Sequence, residues 1–489
     1  MRSRLDFDLT IGHDRFLSTR DRHLHAILTV TARAGQSGAG VDPDGPGHAE
    51  VIVIDCSESM AYPPTKIAAA RRATAAAVAV LPDGIRFAVV EGTHEARMVY
   101  PRHRGLAISS PATRHDARQA VSTLVAIGGT AIGTWLELAR ELLATHPEAI
   151  RHTLLLTDGR NQHETPQRLA EVLAGCAGQF VCDARGIGDG WEPRELMRVA
   201  EALHGTADAV RRPADLEADF RETMRAAMAK QVARARLRIA LVPPARVLYC
   251  RQVHPTVTDL PVTPVDDRTV ECPTGSWGEE SREYHLCLEV DGTDRPRGED
   301  VRVARVDLRV GDAPAARPEN VLAHWTDDLL LSSRIDPRVA HYTGQEQLSQ
   351  LIADGCDAYD TGDREAAVGL FRRAVEAATA AGDALHLEQL RLLVDGVDTG
   401  TVRLRDDLAR LDVINVALRS SFTMHDGEPG PAPDDPPAPG PGPGESRAPG
   451  PDEPPRACPC GHRSPSWARF CENCGKGLPA RDRTGPVQA

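Results

Sequence analysis

The chain has 489 residues, 26% of them charged and 41% hydrophobic, with a formal net charge of −13. That length supports two to four domains, each with its own core, and the acidic balance argues against a chain built mainly to bind nucleic acid or an anionic membrane. Residues 1–8 lack an apolar core of signal-peptide length and no later run approaches a membrane span, which together predict a cytoplasmic protein.

The opening residues alternate: Leu5, Phe7, Leu9 and Ile11 on one side, Asp6, Asp8 and Thr10 on the other. Leu24, Ala26, Leu28 and Val30 repeat the pattern, and a period of two predicts half-buried antiparallel strands. After a Gly-rich loop over 35–47, Val51-Ile52-Val53-Ile54 reads as a strand buried on both faces. It ends on Asp55-Cys56-Ser57-Glu58-Ser59; Pro63-Pro64 then breaks the loop, and an Ala-rich run over 65–81 reads as a covering helix. The oxygens of Asp55, Ser57 and Ser59 are hard donors suited to Mg²⁺, at the strand end where open α/β sheets hold ligands. An Asp followed by Ser also caps helices, so the Asp-x-Ser-x-Ser motif alone leaves both readings open. Two later stretches favour the metal. Gly128-Gly129-Thr130 precedes a helical run over 131–144, and His152-Thr153-Leu154-Leu155-Leu156-Thr157-Asp158-Gly159 is a second buried strand ending on a carboxylate. Further strands over 85–90, 97–100, 180–187 and 207–210, and a last helix over 214–230, predict a parallel sheet with helices on both faces.

In order and on the right elements, these segments resemble the von Willebrand factor A (VWA) domain with its metal-ion-dependent adhesion site. The matching positions are Asp55, Ser57, Ser59, Thr130 and Asp158, and Glu58 stands where the family commonly has Gly. The resemblance implies Mg²⁺ or Mn²⁺ held by five protein oxygens, with one coordination position left for an Asp or Glu of a partner.

Alternation returns after the VWA segment, which covers 49–231. Ala235, Leu237, Ile239 and Leu241 form one stripe; Tyr284, Leu286, Leu288 and Val290 another; Val306, Leu308 and Val310, then Val321, Ala323 and Trp325, continue it. Strands of one character on both sides of the VWA segment predict a single β-sandwich, formed by 1–46 and 232–330, into which the doubly wound α/β domain is inserted. Over 340–420 the period becomes helical. Leu348, Leu351, Ile352 and Tyr359, a turn at Asp360-Thr361-Gly362-Asp363, then Ala367, Leu370, Phe371, Ala374, Val375 and Ala378 look like one tetratricopeptide-type hairpin, either a cap on the sandwich or the wall of a peptide groove.

The Pro/Gly-rich stretch 424–456 has almost nothing to bury and predicts a disordered linker. The segment 457–480 carries Cys458-Pro459-Cys460-Gly461-His462 and Cys471-Glu472-Asn473-Cys474-Gly475. Thiolates on two tight turns suit a structural Zn²⁺, and the segment resembles a small zinc ribbon tethered flexibly to the body. Cys458, Cys460, Cys471 and Cys474 are the expected ligands; the first knuckle is one residue short, which makes His462 the alternative. The seven other cysteines, at 56, 176, 182, 250, 272, 287 and 356, are scattered and read as reduced core residues.

The sequence lacks a P-loop, a Gly-x-Ser-x-Gly elbow and a His-Glu-x-x-His motif, and no patterned base stands beside Ser57 or Ser59. His163-Glu164 reads either as lining the metal face or as a solvated helix start. The expected function is a non-enzymatic, divalent-metal-dependent module binding an acidic residue of a protein partner. A regulatory subunit beside an ATPase, kinase or phosphopeptide-binding protein is the alternative. Nucleic-acid binding through Arg456, Arg463, Arg469, Lys476, Arg481 and Arg483 is a third reading, opposed by the acidic body.

Overall fold

The computed structural model describes residues 5–35, 47–188, 191, 193–210, 212–420, 423, 455–464, 468–471 and 473–478. The proposed linker, 424–456, lies almost wholly outside the described residues.

Three strands come first: β1 (Leu5–His13), β2 (Phe16–Leu17) and β3 (His23–Ala34). The inserted α/β unit follows, with β4 (His48–Asp55), α1 (Thr65–Ala79), β5 (Arg86–Gly92), β6 (Ala96–Tyr100), β7 (Ala107–Ile108), α2 (Pro111–Ser122), α3 (Ile132–Ala144), β8 (Ile150–Thr157), α4 (Pro166–Cys176), β9 (Val181–Ile187), α5 (Pro193–Ala202), β10 (Ala207–Val210) and α6 (Leu216–Met228). Its sheet has the order β10-β9-β8-β4-β5-β6, with β7 also on β5. Strands β10, β9, β8, β4 and β5 are parallel, and β6 is antiparallel to β5. The central strand β4 is buried on both faces, as its run of apolar residues requires. Ile52 and Ile54 pack under α1, α2 and α6, whereas Val51 and Val53 pack under α3, α4 and α5. The chain leaves β4 for β5 on one side and later enters β8 on the other. Asp55 therefore stands at the point where the strand order reverses, the place this architecture reserves for ligands.

The chain then returns to the first layer with β11 (Val232–Leu241), β12 (Arg246–His254), β13 (Thr258–Leu260), β14 (Thr263–Asp266), β15 (Thr269–Trp277), β16 (Glu280–Glu289), β17 (Asp300–Val310), β18 (Ala313–Pro314) and β19 (Glu319–Trp325). One sheet runs β1-β3-β16-β12-β13 and the other β14-β15-β11-β17-β19-β2. The register from Glu280↔Ala32 to Glu289↔His23 joins β16 to β3 across the whole inserted unit. The stripes predicted from alternation on both sides of the insertion meet in one core, with Leu9, Leu28, Leu237, Leu286, Leu308 and Trp325 all buried there. The sequence pattern does not predict the hairpins built from β12 to β15. Their sequence carries Arg, Gln and Glu inside the strands and Pro264 and Pro273 within or beside the pairing, which obscures the alternation.

Beyond the sandwich come α7 (Leu329–Ser332), α8 (Pro337–Asp360), α9 (Arg364–Ala381), α10 (Ala384–Leu390), the short pair β20 (Val394–Asp395) and β21 (Arg403–Leu404), and α11 (Arg410–Arg419). The α8–α9 hairpin turns at Thr361-Gly362-Asp363, with Asp363 accepting from the Ala366 N–H as a helix cap. Its apolar face is closed by Leu390, Leu393, Val394, Val413 and Val416, so that face belongs to a small core. Val339 and Tyr342 at the start of α8 pack on Ile27 and Val253 of the sandwich. Ile414 and Leu418 of α11 enter the core of the α/β unit. The helical segment thus ties both larger parts together.

The cysteine-rich segment contributes β22 (Arg456–Ala457) and β23 (Arg463–Ser464). The expectation of a freely tethered module is corrected here, because the segment docks on the sandwich. Strand β11 pairs with β17 only as far as Leu241↔Ala304, where Pro243-Pro244 turns the chain away. The uncovered end of β17 then bridges Val301 to Lys476, and the Arg302 N–H donates to the Gly475 carbonyl at 3.1 Å. Arg295 Nη1 donates to the Cys474 carbonyl at 3.0 Å.

Candidate functional site

The five oxygen-bearing residues predicted from the sequence come from three loops at one end of the α/β sheet. Asp55 closes β4 with its side chain fully buried. Its Oδ1 accepts the Ser57 N–H at 2.8 Å, and its Oδ2 accepts the Thr157 hydroxyl at 2.5 Å. Burial raises the Asp55 carboxyl to about 6, against the hydrogen bonds from Ser57 and Thr157 that favour its ionised form. The Ser57 and Ser59 hydroxyls lie 2.9 Å apart, and Ser59 donates to Asp158 Oδ1 at 2.6 Å. The second oxygen of Asp158 accepts Lys66 Nζ at 2.6 Å.

Thr130 is positioned by a second layer of contacts. The loop before it is laced to the Asp55 loop: Ile127 N–H donates to the Cys56 carbonyl at 2.6 Å and Glu58 N–H to the Gly128 carbonyl at 2.9 Å. Gly128 adopts φ 97°, a left-handed conformation that favours glycine. His163 Nδ1 accepts the Thr130 N–H at 3.1 Å, and the His163 N–H returns a bond to the Thr130 carbonyl at 3.0 Å. Helix α3 starts on Ala131, which has no capping side chain. Asn161 Oδ1 accepts the Ile132 N–H at 2.9 Å and Glu164 Oε1 the Gly133 N–H at 2.5 Å, so the cap is supplied from another loop. His163 and Glu164 therefore hold the Thr130 loop in place from the residues just before the exposed start of α4.

Three of these oxygens face the space beside Gly159. A Cβ built on Gly159 would lie 2.9 Å from Thr130 Oγ1, 3.2 Å from Ser59 Oγ and 3.6 Å from Asp55 Oδ2. The space beside Gly159 is thus bordered by hard oxygens, the donors a small divalent cation takes, and a side chain at residue 159 would intrude on it. Glu58 is exposed, and only its backbone enters the network, so the departure at this position removes no ligand. Cys56 is fully buried and its thiol is pushed well above its ordinary range by burial, consistent with a core residue. Lys66, Thr157, Asn161, His163 and Glu164 complete the arrangement. Of these, the sequence marks Lys66 most clearly, as a cation in the first turn of a helix where the dipole disfavours it.

The second cluster joins Cys458, Cys460, Cys471 and Cys474, whose sulfurs all lie within 4.8 Å of one another. Cys458 and Cys474 approach to 3.5 Å, and Cys460 and Cys471 to 3.6 Å. The backbone N–H of His462 holds the Cys460 thiol down at about 6. His462 contributes its backbone carbonyl to the Cys458 N–H at 2.9 Å, and its ring is not part of the sulfur cluster. Four thiols at this spacing can hold a metal ion.

Residues 50–209 match the model of the von Willebrand factor type A domain. A solved von Willebrand factor type A protein from Catenulispora acidiphila is 39% identical, covering 87% of this chain and 98% of that one, with a TM-score of 0.81. This chain belongs to the von Willebrand factor type A family. The VWA2 paralog of ArnB from Sulfolobus acidocaldarius, at 14% identity and a TM-score of 0.50, covers 85% of this chain and 98% of its own and shares the fold. No curated protein matches the chain. VWA domains are protein-interaction folds that often use a metal-ion-dependent adhesion site. Among the described residues no helix is long and apolar enough to cross a membrane.

Proposed function

We propose that this VWA protein is a non-enzymatic interaction module that captures an acidic side chain of a partner protein through Mg²⁺ or Mn²⁺ held by Asp55, Ser57, Ser59, Thr130 and Asp158. The observation that carries the reading is the convergence of Thr130, Ser59 and Asp55 oxygens on the space that Gly159 leaves open. A divalent ion there would supply a Lewis-acidic position for the carboxylate of an Asp or Glu. The chain's own residues do the rest. The buried Asp55 and Asp158 provide negative charge with little solvent to screen it, and Thr157 and the Asp55–Ser57 contact fix the orientation of Asp55. His163, Asn161 and Glu164 hold the Thr130 hydroxyl toward the same point. Tyr62, Val125 and Ile127 are exposed on the two loops that carry these donors. They offer apolar area around a charged centre, the composition of an interface core with a polar anchor.

The four-cysteine cluster is proposed as a structural Zn²⁺ site that orders the C-terminal segment, because so short a stretch has little else to bury. An affinity capture with wild type and Asp55→Ala in Mg²⁺ tests the interaction. Proteins retained by wild type in Mg²⁺, and lost both in the variant and on chelation, support the reading. An identical retained set for all three refutes it. An ATPase, kinase or phosphopeptide-binding protein in that set would make the module a regulatory subunit.

A further inference from the structure

Lys66 has no place in the five-residue donor set, yet it is bonded to one of its members. Its Nζ donates to Asp158 Oδ2 at 2.6 Å, with the lysine side chain 14% exposed and the Asp158 side chain fully buried. Ser59 takes the other oxygen of the same carboxylate at 2.6 Å. The position is unfavourable on local grounds, because a cation in the first turn of α1 faces the positive end of the helix dipole. The residue type is also selective. Lysine occurs at only three places, 66, 230 and 476, among 57 Lys and Arg residues. The slot is narrow: a Cβ on Gly188 would stand 3.2 Å from Lys66 Cε. A compact ammonium fits such a slot, whereas the planar guanidinium that serves almost everywhere else in this chain is larger and needs a forked set of acceptors.

We infer that Lys66 is a tethered rival of the divalent ion, an ammonium that neutralises Asp158 until a metal displaces it. This rests on the metal reading above. Both oxygens of Asp158 are satisfied by protein groups, so Lys66 and Ser59 hold that carboxylate in place. A divalent ion that draws on Asp158 Oδ2 must break the Lys66 bond, and its apparent affinity is lowered by the fraction of molecules in which that bond is made. The displaced ammonium stays on α1 close to the loaded site. Two carboxylates, one divalent cation and one ammonium then leave a net positive charge, which favours capture of an external carboxylate. Lys66 would thus lower metal affinity and strengthen the demand for an acidic partner.

Two measurements on the full chain test this. In calorimetric titration with Mn²⁺ alone, Lys66→Met should bind about tenfold to a hundredfold more tightly than wild type, the range expected when a hydrogen bond between charged groups no longer competes. Lys66→Arg should not tighten binding. Unchanged or weaker Mn²⁺ affinity in a folded Lys66→Met protein, with wild type binding Mn²⁺, overturns the inference and leaves the metal reading standing. Wild type that binds no Mn²⁺ overturns both. The second measurement needs no variant. Amine-reactive labelling followed by mass spectrometry should show Lys66 reacting several-fold faster in saturating Mg²⁺ than in chelator, with Lys230 unchanged as the internal reference. A Lys66 rate that does not rise when Mg²⁺ is bound overturns the inference even if every Lys66 variant fails to fold.

Discussion

Gly159→Ala separates folding from metal binding with one methyl group. The added Cβ would fall 2.9 Å from Thr130 Oγ1 and 3.2 Å from Ser59 Oγ, closer than carbon and oxygen normally approach, so one of the hydroxyls must move. Residue 159 is not in the left-handed region, and the backbone can accept alanine without strain. Crowding costs about 1–3 kcal/mol in a packed interior, and the loss of glycine freedom in the unfolded chain returns roughly 0.4–1 kcal/mol. The variant should therefore fold, less stable by about 0–2.5 kcal/mol. Wild type in Mg²⁺ at one hundred times its dissociation constant should gain about 2.7 kcal/mol. For a unit of this size that corresponds to a rise in Tm of about 5–11 °C. Differential scanning calorimetry with Mg²⁺ and with chelator should show this rise for wild type and none for Gly159→Ala. A variant that keeps the full metal-induced rise would refute the placement of the ion beside Gly159.

Other outcomes follow from the junction and the tail. Glu280 accepts both Lys230 Nζ at 2.9 Å and Arg282 Nη2 at 2.8 Å where the α/β unit meets the sandwich. Burial alone would raise its carboxyl, but Arg282 and Lys230 bring it down to about 2 from 4.5; Lys230 itself is lowered by burial, so the carboxylate is the better compensated partner. A depressed carboxyl contributes stability that is complete above about pH 4.5 and lost as pH falls toward 2. Glu280→Gln should cost up to about 3 kcal/mol at pH 7 and flatten the acid limb of a urea-denaturation series; an unchanged limb would contradict the pairing. In the tail, purified protein should hold about one equivalent of zinc, Cys471→Ser should lose it and His462→Ala should keep it, as read by metal analysis; loss in the His462 variant would replace one thiolate by imidazole. Arg295→Ala, which removes the bond to the Cys474 carbonyl, should speed amide exchange at Gly475 and Lys476 without releasing zinc, whereas unchanged exchange would show that this arginine does not hold the module.

Where physical signals were local, the sequence was readable. The β-branched run before Asp55 can only be a buried strand, and Asp55, Ser57, Ser59, Thr130 and Asp158 are assembled by the topology that the alternation of strands and helices implies. The insertion was legible because a period of two resumes after Lys230. The hidden features depend on distant chain segments. Lys66 reaches Asp158 across 92 positions, and no spacing rule joins a helix start to the end of another strand. His163 and Glu164 act on the Thr130 loop through backbone groups, which leave no pattern in side-chain chemistry. Docking of the cysteine-rich segment depends on β11 ending at Leu241 and leaving Val301 and Arg302 unpaired with it, a consequence of register rather than composition.

The most direct test of the central claim is a crystal of the full chain soaked in Mn²⁺, with anomalous differences collected at the manganese edge. The account predicts a strong peak among Asp55, Ser57, Ser59, Thr130 and Asp158, beside the Cα of Gly159, with Lys66 Nζ withdrawn from Asp158. Electron density showing those side chains in place and the Lys66–Asp158 bond intact, with no manganese signal between them, would contradict it.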